Sequence, residues 1–252
     1  MAATSPITPA PPLAKAAGQA TSVGEGPAVV GLVLAAGGGR RLGGRPKALL
    51  DHGGRPLVER AVRAARAGGC APAVHVVLGA AAERVRELAD LAGCVVIDNP
   101  DWATGMGSSL RAGLASVRDA TRGALGPDGP DEPDGPDRPD GPDGPSGSGA
   151  SAVLLLLVDQ PGVGAEAVAR VVRAHRAGAG LVAAAYGGRR GHPVLFAREH
   201  WARVAALAHG DRGARDFLRA HAAELTLVEC ADIASCADID TPADLRLLDP
   251  DG

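Results

Sequence analysis

The feature that most constrains the fold is an apolar segment that leads directly into a glycine-rich, basic loop. Residues 29–34 are aliphatic apart from one glycine, and the chain then reads Ala35-Ala-Gly-Gly-Gly-Arg-Arg-Leu-Gly-Gly-Arg-Pro-Lys47. Glycine lets the backbone approach a ligand closely and turn its N–H groups toward it. The cationic side chains of the same loop favour a ligand with several negative charges, for which a nucleoside triphosphate is the obvious candidate.

Two common glycine-rich loops do not fit this segment. A dinucleotide-binding Gly-x-Gly-x-x-Gly that starts at Gly37 needs a glycine at position 42, where the chain has Leu42. A P-loop needs Gly-Lys-Ser/Thr, but Lys47 follows Pro46 and precedes Ala48. The loop therefore belongs to a third class.

Length and composition favour one α/β domain, or at most two small ones. The chain has 252 residues, of which 46% are hydrophobic and only 2% are aromatic, so the core must consist of Ala, Val and Leu. No apolar run approaches the roughly 18 residues of a membrane span, and residues 1–27 lack the continuous apolar stretch of a signal peptide. We therefore predict a cytoplasmic protein with reduced cysteines, no membrane partner and a disordered tail over residues 1–27.

Residues 123–149 form a low-complexity insert of broken Gly-Pro-Asp triplets. The insert carries seven acidic side chains and one arginine, so the rest of the chain changes from a formal charge of −3 to +3 without it. The triplets are too irregular and too few for a collagen helix. We predict a disordered surface loop that interrupts the domain without altering its fold.

The remaining sequence alternates between strand-like and helix-like runs. The predicted strands are 29–34, 74–78, 95–97, 153–158, 181–185, 193–196 and 225–228, and the predicted helices are 57–67, 82–91, 107–118, 165–176, 202–208 and 214–222. Continuous apolar strands between helices indicate a parallel sheet covered on both faces. Ligands of such sheets bind at the carboxyl ends of the strands, so the residues after each strand are the candidates for function.

Two aspartates are the candidate metal ligands. Asp159 directly follows the predicted strand 153–158, and Asp240 precedes the helix-starting pair Thr241-Pro242. Mg²⁺ prefers one or two carboxylates together with phosphate oxygens and water. For both aspartates the alternative is a role in starting the next helix.

Several polar residues are candidates for binding a second substrate. Ser108 and Ser109 open a predicted helix, where a hydroxyl binds an anion or simply caps the helix. His192 follows two arginines and is either structural or acceptor-binding, and Arg215 either holds a phosphate or faces water. We expect Trp102 to pack under the loop rather than to stack on a ligand.

Together these segments resemble the MobA-like nucleotidyltransferases, and within them the molybdenum cofactor cytidylyltransferase branch. The resemblance covers about residues 29–248, and the set of motifs is specific although each alone is weak. The matching segments are 34–43 with Lys47, 99–102 with 105–110, 158–161, 191–196, 210–215 and 238–242. The chain departs from the pattern in its three consecutive glycines and in Leu42, where many relatives carry Met or Phe.

The resemblance implies a fold and a set of site residues. The fold would be a Rossmann-like three-layer αβα sandwich with a mostly parallel sheet, of the nucleotide-diphospho-sugar transferase type, over residues 28–248. Lys47, Arg41 and Asp159 would be catalytic, with Mg²⁺ on Asp159 and Asp240. Ser108, Ser109, His192 and Arg215 would contact the acceptor. The implied nucleotide-binding residues are Leu34, Ala35, Ala36, Gly37, Gly38, Gly39, Arg40, Lys47, Gly79 and Gln160.

The implied reaction moves a cytidylyl group from CTP to the terminal phosphate of a molybdopterin-type cofactor and releases pyrophosphate. The Asp-Gln-Pro sequence at 159–161 favours CTP over GTP within the family. Alternatives are another phosphorylated acceptor, such as a sugar phosphate or phospholactate, or a non-catalytic nucleotide-binding protein that delivers the cofactor to a molybdoenzyme. Nucleic acid is disfavoured as a partner, because no basic run with interleaved aromatics is present.

Overall fold

The computed structural model describes residues 28–123 and 149–249. The predicted tail and residues 124–148 of the predicted insert lie outside the described residues. Seven strands form a single sheet in the described part: β1 (Val29–Ala35), β2 (His75–Leu78), β3 (Val95–Asp98), β4 (Ala152–Leu157), β5 (Leu181–Tyr186), β6 (Arg189–Ala197) and β7 (Thr226–Glu229).

The helices lie between the strands, as the alternating pattern predicts. They are α1 (Leu57–Ala67), α2 (Ala82–Leu88), α3 (Met106–Gly123), α4 (Ala165–Arg176), α5 (Trp201–Leu207) and α6 (Arg215–Ala220). Among residues 28–123 and 149–249, none of these helices combines the length and the apolar character that crossing a bilayer requires.

The sheet has the strand order β3-β2-β1-β4-β6-β5-β7 and is mostly parallel, which confirms the predicted fold class. β1 runs parallel to both β2 and β4, and β7 runs parallel to β5. β6 is antiparallel to both of its neighbours. In the β1–β4 pair Leu34 lies opposite Leu157, so the residues that follow these two strands meet at one edge of the sheet.

The reversal of β6 comes from a two-residue hairpin that the sequence prediction did not include. Tyr186 pairs with Arg189 across Gly187 and Gly188, whose φ angles are 61° and 74°. Two-residue hairpins need positive φ at both central residues, and glycine adopts it without steric strain. The predicted strand 193–196 is therefore only the end of a longer strand that begins at Arg189.

The core lies on both faces of the sheet. Val33 of β1 belongs to a buried cluster with α1 and α4, whereas its neighbour Leu32 belongs to a second cluster with α3, α5 and α6. This division follows from the alternation of side chains along a strand. A Cβ atom on Gly113 would lie 2.5 Å from a Leu32 methyl group, so this glycine lets α3 pack directly onto β1.

Candidate functional site

A cleft of about 360 Å³ opens at the carboxyl ends of β1 and β4. It is formed by the glycine-rich loop, the start of α3 and the turn after β4, which is where the strand pattern placed the site. Eleven of the predicted site residues line it: Leu34, Ala36, Gly37, Gly38, Gly39, Arg40, Arg41, Lys47, Ser109, Asp159 and Asp240.

The centre of the cleft is an ion-paired cluster of three side chains. Lys47 Nζ donates hydrogen bonds to Asp159 Oδ2 at 2.7 Å and to Asp240 Oδ1 at 2.5 Å. Burial by itself lowers the pKa of Lys47, but the two carboxylates outweigh it and hold the pKa above its ordinary value. Lys47 is therefore a cation at neutral pH, and its side chain is only 14% exposed.

Backbone contacts far apart in sequence bring the two aspartates together. The N–H of Ile239 donates to the carbonyl oxygen of Asp159 at 2.9 Å, and the Ile239 side chain is fully buried. This anchor places Asp240 beside Asp159 although the two are 81 positions apart in the sequence. Arg41 adds a longer and exposed ion pair, with Nη1 3.9 Å from Asp240 Oδ2, and such pairs contribute little on their own.

The loop itself depends on glycine at Gly39. Its φ is 58°, and a Cβ there would lie 1.8 Å from the carbonyl oxygen of Arg45. The Gly39 carbonyl accepts hydrogen bonds from the N–H groups of Leu42 and Gly44, which close the turn. By contrast, a Cβ on Gly37 would meet no atom of the described residues within 4 Å, so none of these residues covers that part of the cleft wall.

Trp102 takes part in both the packing and the lining of the cleft. Its ring lies against Gly38, where a Cβ would approach it to 3.2 Å, and the Arg40 guanidinium stands 5.8 Å from the ring centroid. The predicted packing under the loop is therefore present, and the same side chain also faces the cleft.

Gly79 lies behind the loop and does not line the cleft. A Cβ on Gly79 would lie 2.6 Å from Trp102 Cβ and 2.7 Å from the Ala36 carbonyl oxygen, so its small size permits this packing. Ala35 also points away, into the core on the α1 and α4 side of the sheet. Neither Gly79 nor Ala35 is among the residues that line the cleft.

The two serines at the start of α3 share a buried amide. Asn99 Nδ2 lies 2.9 Å from both hydroxyl oxygens, those of Ser108 and Ser109. The Ser108 hydroxyl is also 2.9 Å from the carbonyl oxygens of Asp101 and Gly105, one of which accepts its proton. The hydrogen bonds of Ser108 thus hold the segment before α3 in place, whereas Ser109 lines the cleft.

Gln160 is buried beside the cleft rather than in it. Its Nε2 donates to Asp238 Oδ1 at 2.8 Å, and its Oε1 has no partner among the described residues. Desolvation raises the pKa of Asp238, an effect that the Gln160 amide only partly offsets and that the charges of Asp159 and Asp240 reinforce. Gln160 therefore links the turn after β4 to the segment that carries Asp240.

The predicted acceptor residues His192 and Arg215 lie on the β6 flank, outside the cleft lining. β6 pairs with β4 through Leu155 and Val194. His192 lies two residues before Val194 in β6, and Leu157, two residues after Leu155 in β4, lines the cleft. Burial lowers the pKa of His192 to about 4, and the charges of Arg190 and Arg215 contribute to this shift. His192 is therefore neutral at pH 7.

The β6 flank carries a group of arginines. Arg215 and Arg219 are one turn apart on α6, where residues four apart share a face. Partial burial and the charges of these two side chains lower the pKa of Arg190. The sequence indicated Arg215 and the arginine pair before His192, which includes Arg190, as separate features, but it gave no sign that Arg219 lies near them.

A carboxylate on the far wall was also missed. Asp211 lines the cleft beside the start of α3, where a Cβ on Gly105 would lie 2.7 Å from its Oδ1. Gly105 has a φ of 114°, which lets the 210–211 turn approach α3. The Gly210–Arg215 motif contained the signal, but the prediction concentrated on its arginine.

The carboxylate pair suits a hard divalent cation. Asp159 and Asp240 both contact one nitrogen atom, so their oxygens converge on a single small region. Within residues 28–123 and 149–249 no group of three or more His, Cys, Asp or Glu side chains is arranged to hold a metal ion. Two carboxylates with open positions are the donor set that Mg²⁺ shares with phosphate oxygens and water.

An α/β sheet with a basic glycine-rich loop and a lysine–carboxylate cluster at the ends of its central strands defines a nucleotide-transferring enzyme. The chain belongs to the MobA-like NTP transferase domain family, whose sequence profile matches residues 31–225. It is therefore a nucleotidyltransferase by class.

Similar proteins differ in what their names describe. The chain is 36% identical over 222 residues to nicotine blue oxidoreductase of Paenarthrobacter nicotinovorans, covering 85% of this chain and 93% of that protein. It is 31% identical, with a TM-score of 0.64, to the homologue of Mycobacterium tuberculosis Rv0371c from Mycobacterium sp. strain JC1, covering 87% of this chain and 94% of the other. Rv0371c of strain H37Rv, solved in complex with manganese, is 25% identical with a TM-score of 0.61, covering 88% and 97%.

Proposed function

We propose that this protein transfers a cytidylyl group from CTP to the terminal phosphate of a molybdopterin-type cofactor and releases pyrophosphate. The observation that carries the proposal is the contact of Lys47 with both Asp159 and Asp240 beside the glycine-rich loop. In this cluster Lys47 is a cation that would bind phosphate, and the two carboxylates beside it would bind a divalent metal ion. The preference for CTP rests on the family resemblance of the Asp-Gln-Pro segment.

Different residues of the cleft would bind the phosphates and the metal ion. Backbone N–H groups of Gly37 to Gly39 would face the phosphates, and Arg40, Arg41 and Lys47 would neutralise their charge. Asp159 and Asp240 would hold Mg²⁺, which when bound neutralises negative charge on the phosphates. The manganese complex of Rv0371c supports a divalent ion in this family.

The chemistry needs no general base from the protein. An oxygen of the acceptor phosphate, which is ionised at neutral pH, attacks the α-phosphorus of CTP, and the bond to the β-phosphate oxygen breaks. Negative charge then builds up on the departing pyrophosphate, where Lys47 and Arg41 stabilise it. Catalysis therefore consists of positioning and charge neutralisation.

The acceptor would enter from the β6 flank. Arg215 and the neutral His192 stand beside the cleft on that side, and Ser109 lines the cleft itself. The four cysteines are free thiols, which agrees with a cytoplasmic setting. A molybdoenzyme that receives the product would be the protein's downstream partner.

A second candidate function comes from the relative named nicotine blue oxidoreductase, which matches 85% of this chain. On this alternative the same cleft would hold an electron-carrying cofactor and an aromatic substrate beside Trp102. Pyrophosphate release distinguishes the two functions, because reduction of a dye releases none.

The deciding experiment measures pyrophosphate release with CTP or GTP and molybdopterin, with and without Mg²⁺, beside a panel of sugar phosphates and phospholactate. We expect release with CTP and molybdopterin that requires Mg²⁺. Release only with another acceptor would overturn the substrate but keep the transferase. Nucleotide binding without release under any condition would overturn the transferase, and dye-dependent oxidation of a reduced nicotinamide would then identify the second function.

A further inference from the structure

A second cavity, of about 450 Å³, lies on the other side of the turn that carries Asp159. It is bounded by the turn at His52–Arg55, by α1 and by the start of α4, and it shares no lining residue with the nucleotide cleft. Its size is within the range of small-molecule binding sites. Nothing in the proposed transfer reaction uses it.

The lining of this cavity is cationic. Three guanidinium groups and an imidazole face it, from Arg55, Arg60, Arg63 and His52, and no carboxylate side chain is among the described residues that line it. Among the described residues, the ion pair made by a lining side chain is the one between Arg55 Nη1 and Glu59 Oε2, at 4.0 Å. Like charges brought together around a concave surface repel one another, and a bound anion relieves this repulsion.

The arginines retain hydrogen-bonding capacity for a ligand. Arg63 makes no hydrogen bond or ion pair with any described residue, and its side chain lies at the surface. Arg60 uses its Nε–H to hold the carbonyl oxygen of Pro161 at 3.0 Å, and its terminal N–H groups have no acceptor within the described part of the chain. His52 donates from Nδ1 to the Leu248 carbonyl at 2.7 Å, which leaves Nε2 as its second hydrogen-bonding atom.

The rest of the lining complements these cations. Gly164 caps α4 without a side-chain hydrogen bond, so the positive end of a 12-residue helix adds to the local potential. Ala64, Ala67 and Val163 supply a small apolar wall. The cavity thus offers a cationic region for an anionic group and an apolar region for the body that carries it.

We propose that this cavity binds a phosphorylated small molecule at a site separate from the nucleotide cleft. Guanidinium groups match the geometry of phosphate oxygens through paired hydrogen bonds. The phosphate would lie between Arg55 and Arg63, and the organic part would lie toward Ala67. The proposal is independent of the reaction carried out in the cleft.

The test is calorimetric titration of the full-length protein with inorganic phosphate at low ionic strength. The test variant is Arg55→Gln/Arg63→Gln, since these side chains hold no backbone carbonyl. The matched control is Arg84→Gln/Arg203→Gln, which removes the same charge from exposed positions that line none of the cavities described above. Thermal unfolding of each variant verifies that it folds, and the single variant Arg63→Gln replaces the double variant if the latter does not.

We expect the test variant to lose one phosphate site, or to bind phosphate at least about tenfold more weakly, because charge-assisted hydrogen bonds are removed. The control should bind phosphate like the wild type. Equal binding by the test variant and the control would place all phosphate in the nucleotide cleft and overturn the proposal.

Discussion

The two flanks of the nucleotide cleft hold positive charge in opposite ways. On the β1 flank Lys47 contacts two carboxylates, and the pKa of Lys47 is raised. On the β6 flank neither Arg190 nor Arg215 has an ion pair within the described residues, and burial, reinforced by their charges, lowers the pKa of His192. The first flank is balanced without a ligand, whereas the second gains stability from an anion. This asymmetry supports the proposal of a metal–triphosphate site beside an acceptor-phosphate site.

The largest expected effect is a loss of turnover when the Lys47 cluster of the β1 flank is changed. Lys47→Ala and Asp159→Asn should each lower turnover by about 10²–10³-fold, because each removes a charge that acts on the reacting phosphates. Pyrophosphate release under saturating CTP and acceptor measures the effect. Arg84→Gln, on the exposed surface of α2, is the matched control and should keep wild-type turnover. Near-normal turnover in both cleft variants would contradict the assignment of this cluster.

The second effect concerns His192 and the pH dependence of stability. The pKa of His192 is lowered to about 4, whereas an unfolded histidine titrates near its ordinary value of 6.5. As the pH falls from about 6.5 to about 4 the unfolded chain takes up a proton that the folded chain does not, so the free energy of unfolding decreases. After allowance for partial exposure, we expect a loss on the order of 2 kcal/mol.

Urea unfolding of the wild type and of His192→Gln at several pH values from 7 to 4 measures this loss. The variant should lose less stability than the wild type over the same range. Added salt should reduce the difference, because part of it arises from the charges of Arg190 and Arg215. Parallel curves for the two proteins would show that His192 does not carry the effect.

The smallest effect is expected from the loss of an arginine on the β6 flank. Arg215→Gln should raise the KM for the acceptor about tenfold and leave the KM for CTP unchanged, because it removes one charge-assisted contact to the acceptor phosphate. Arg203→Gln, which removes an exposed arginine from α5, is the control. If Arg215→Gln raised the KM for CTP instead, the acceptor would have to bind elsewhere.

The edge of the sheet that carries the cleft was predictable because it depends on local patterns. One apolar run leads directly into the loop that carries Lys47, and another leads directly into Asp159. Both patterns indicate the end of a strand, and parallel strands bring such ends to one edge of the sheet. α1 and α4 begin and end where the periodicity places them. The reversed direction of β6 was not predicted, although Gly187-Gly188 is a hairpin signal that the sequence displays openly.

The positions of individual side chains around that edge were less predictable. Gly79 and Gln160 were predicted to bind nucleotide, but Gly79 packs under Trp102 and Gln160 bonds to Asp238. Asp211 and Arg190 flank the site from segments that the motifs only partly identified. The spacing of residues along the chain predicts which of them lie near this edge of the sheet. It does not predict which side chains point into the cleft.

The sequence by itself determined the alternating α/β architecture, the family and the glycine-rich loop that lines the cleft, because these depend on periodicity and on short contiguous motifs. Only the tertiary structure decided that Lys47 joins Asp159 to Asp240 and that three arginines of α1 and its preceding turn surround a second cavity. These arrangements arise from contacts between segments far apart in the chain, such as the bond from Ile239 to Asp159. Such contacts are fixed by the packing of the whole sheet and its helices, which no local pattern encodes.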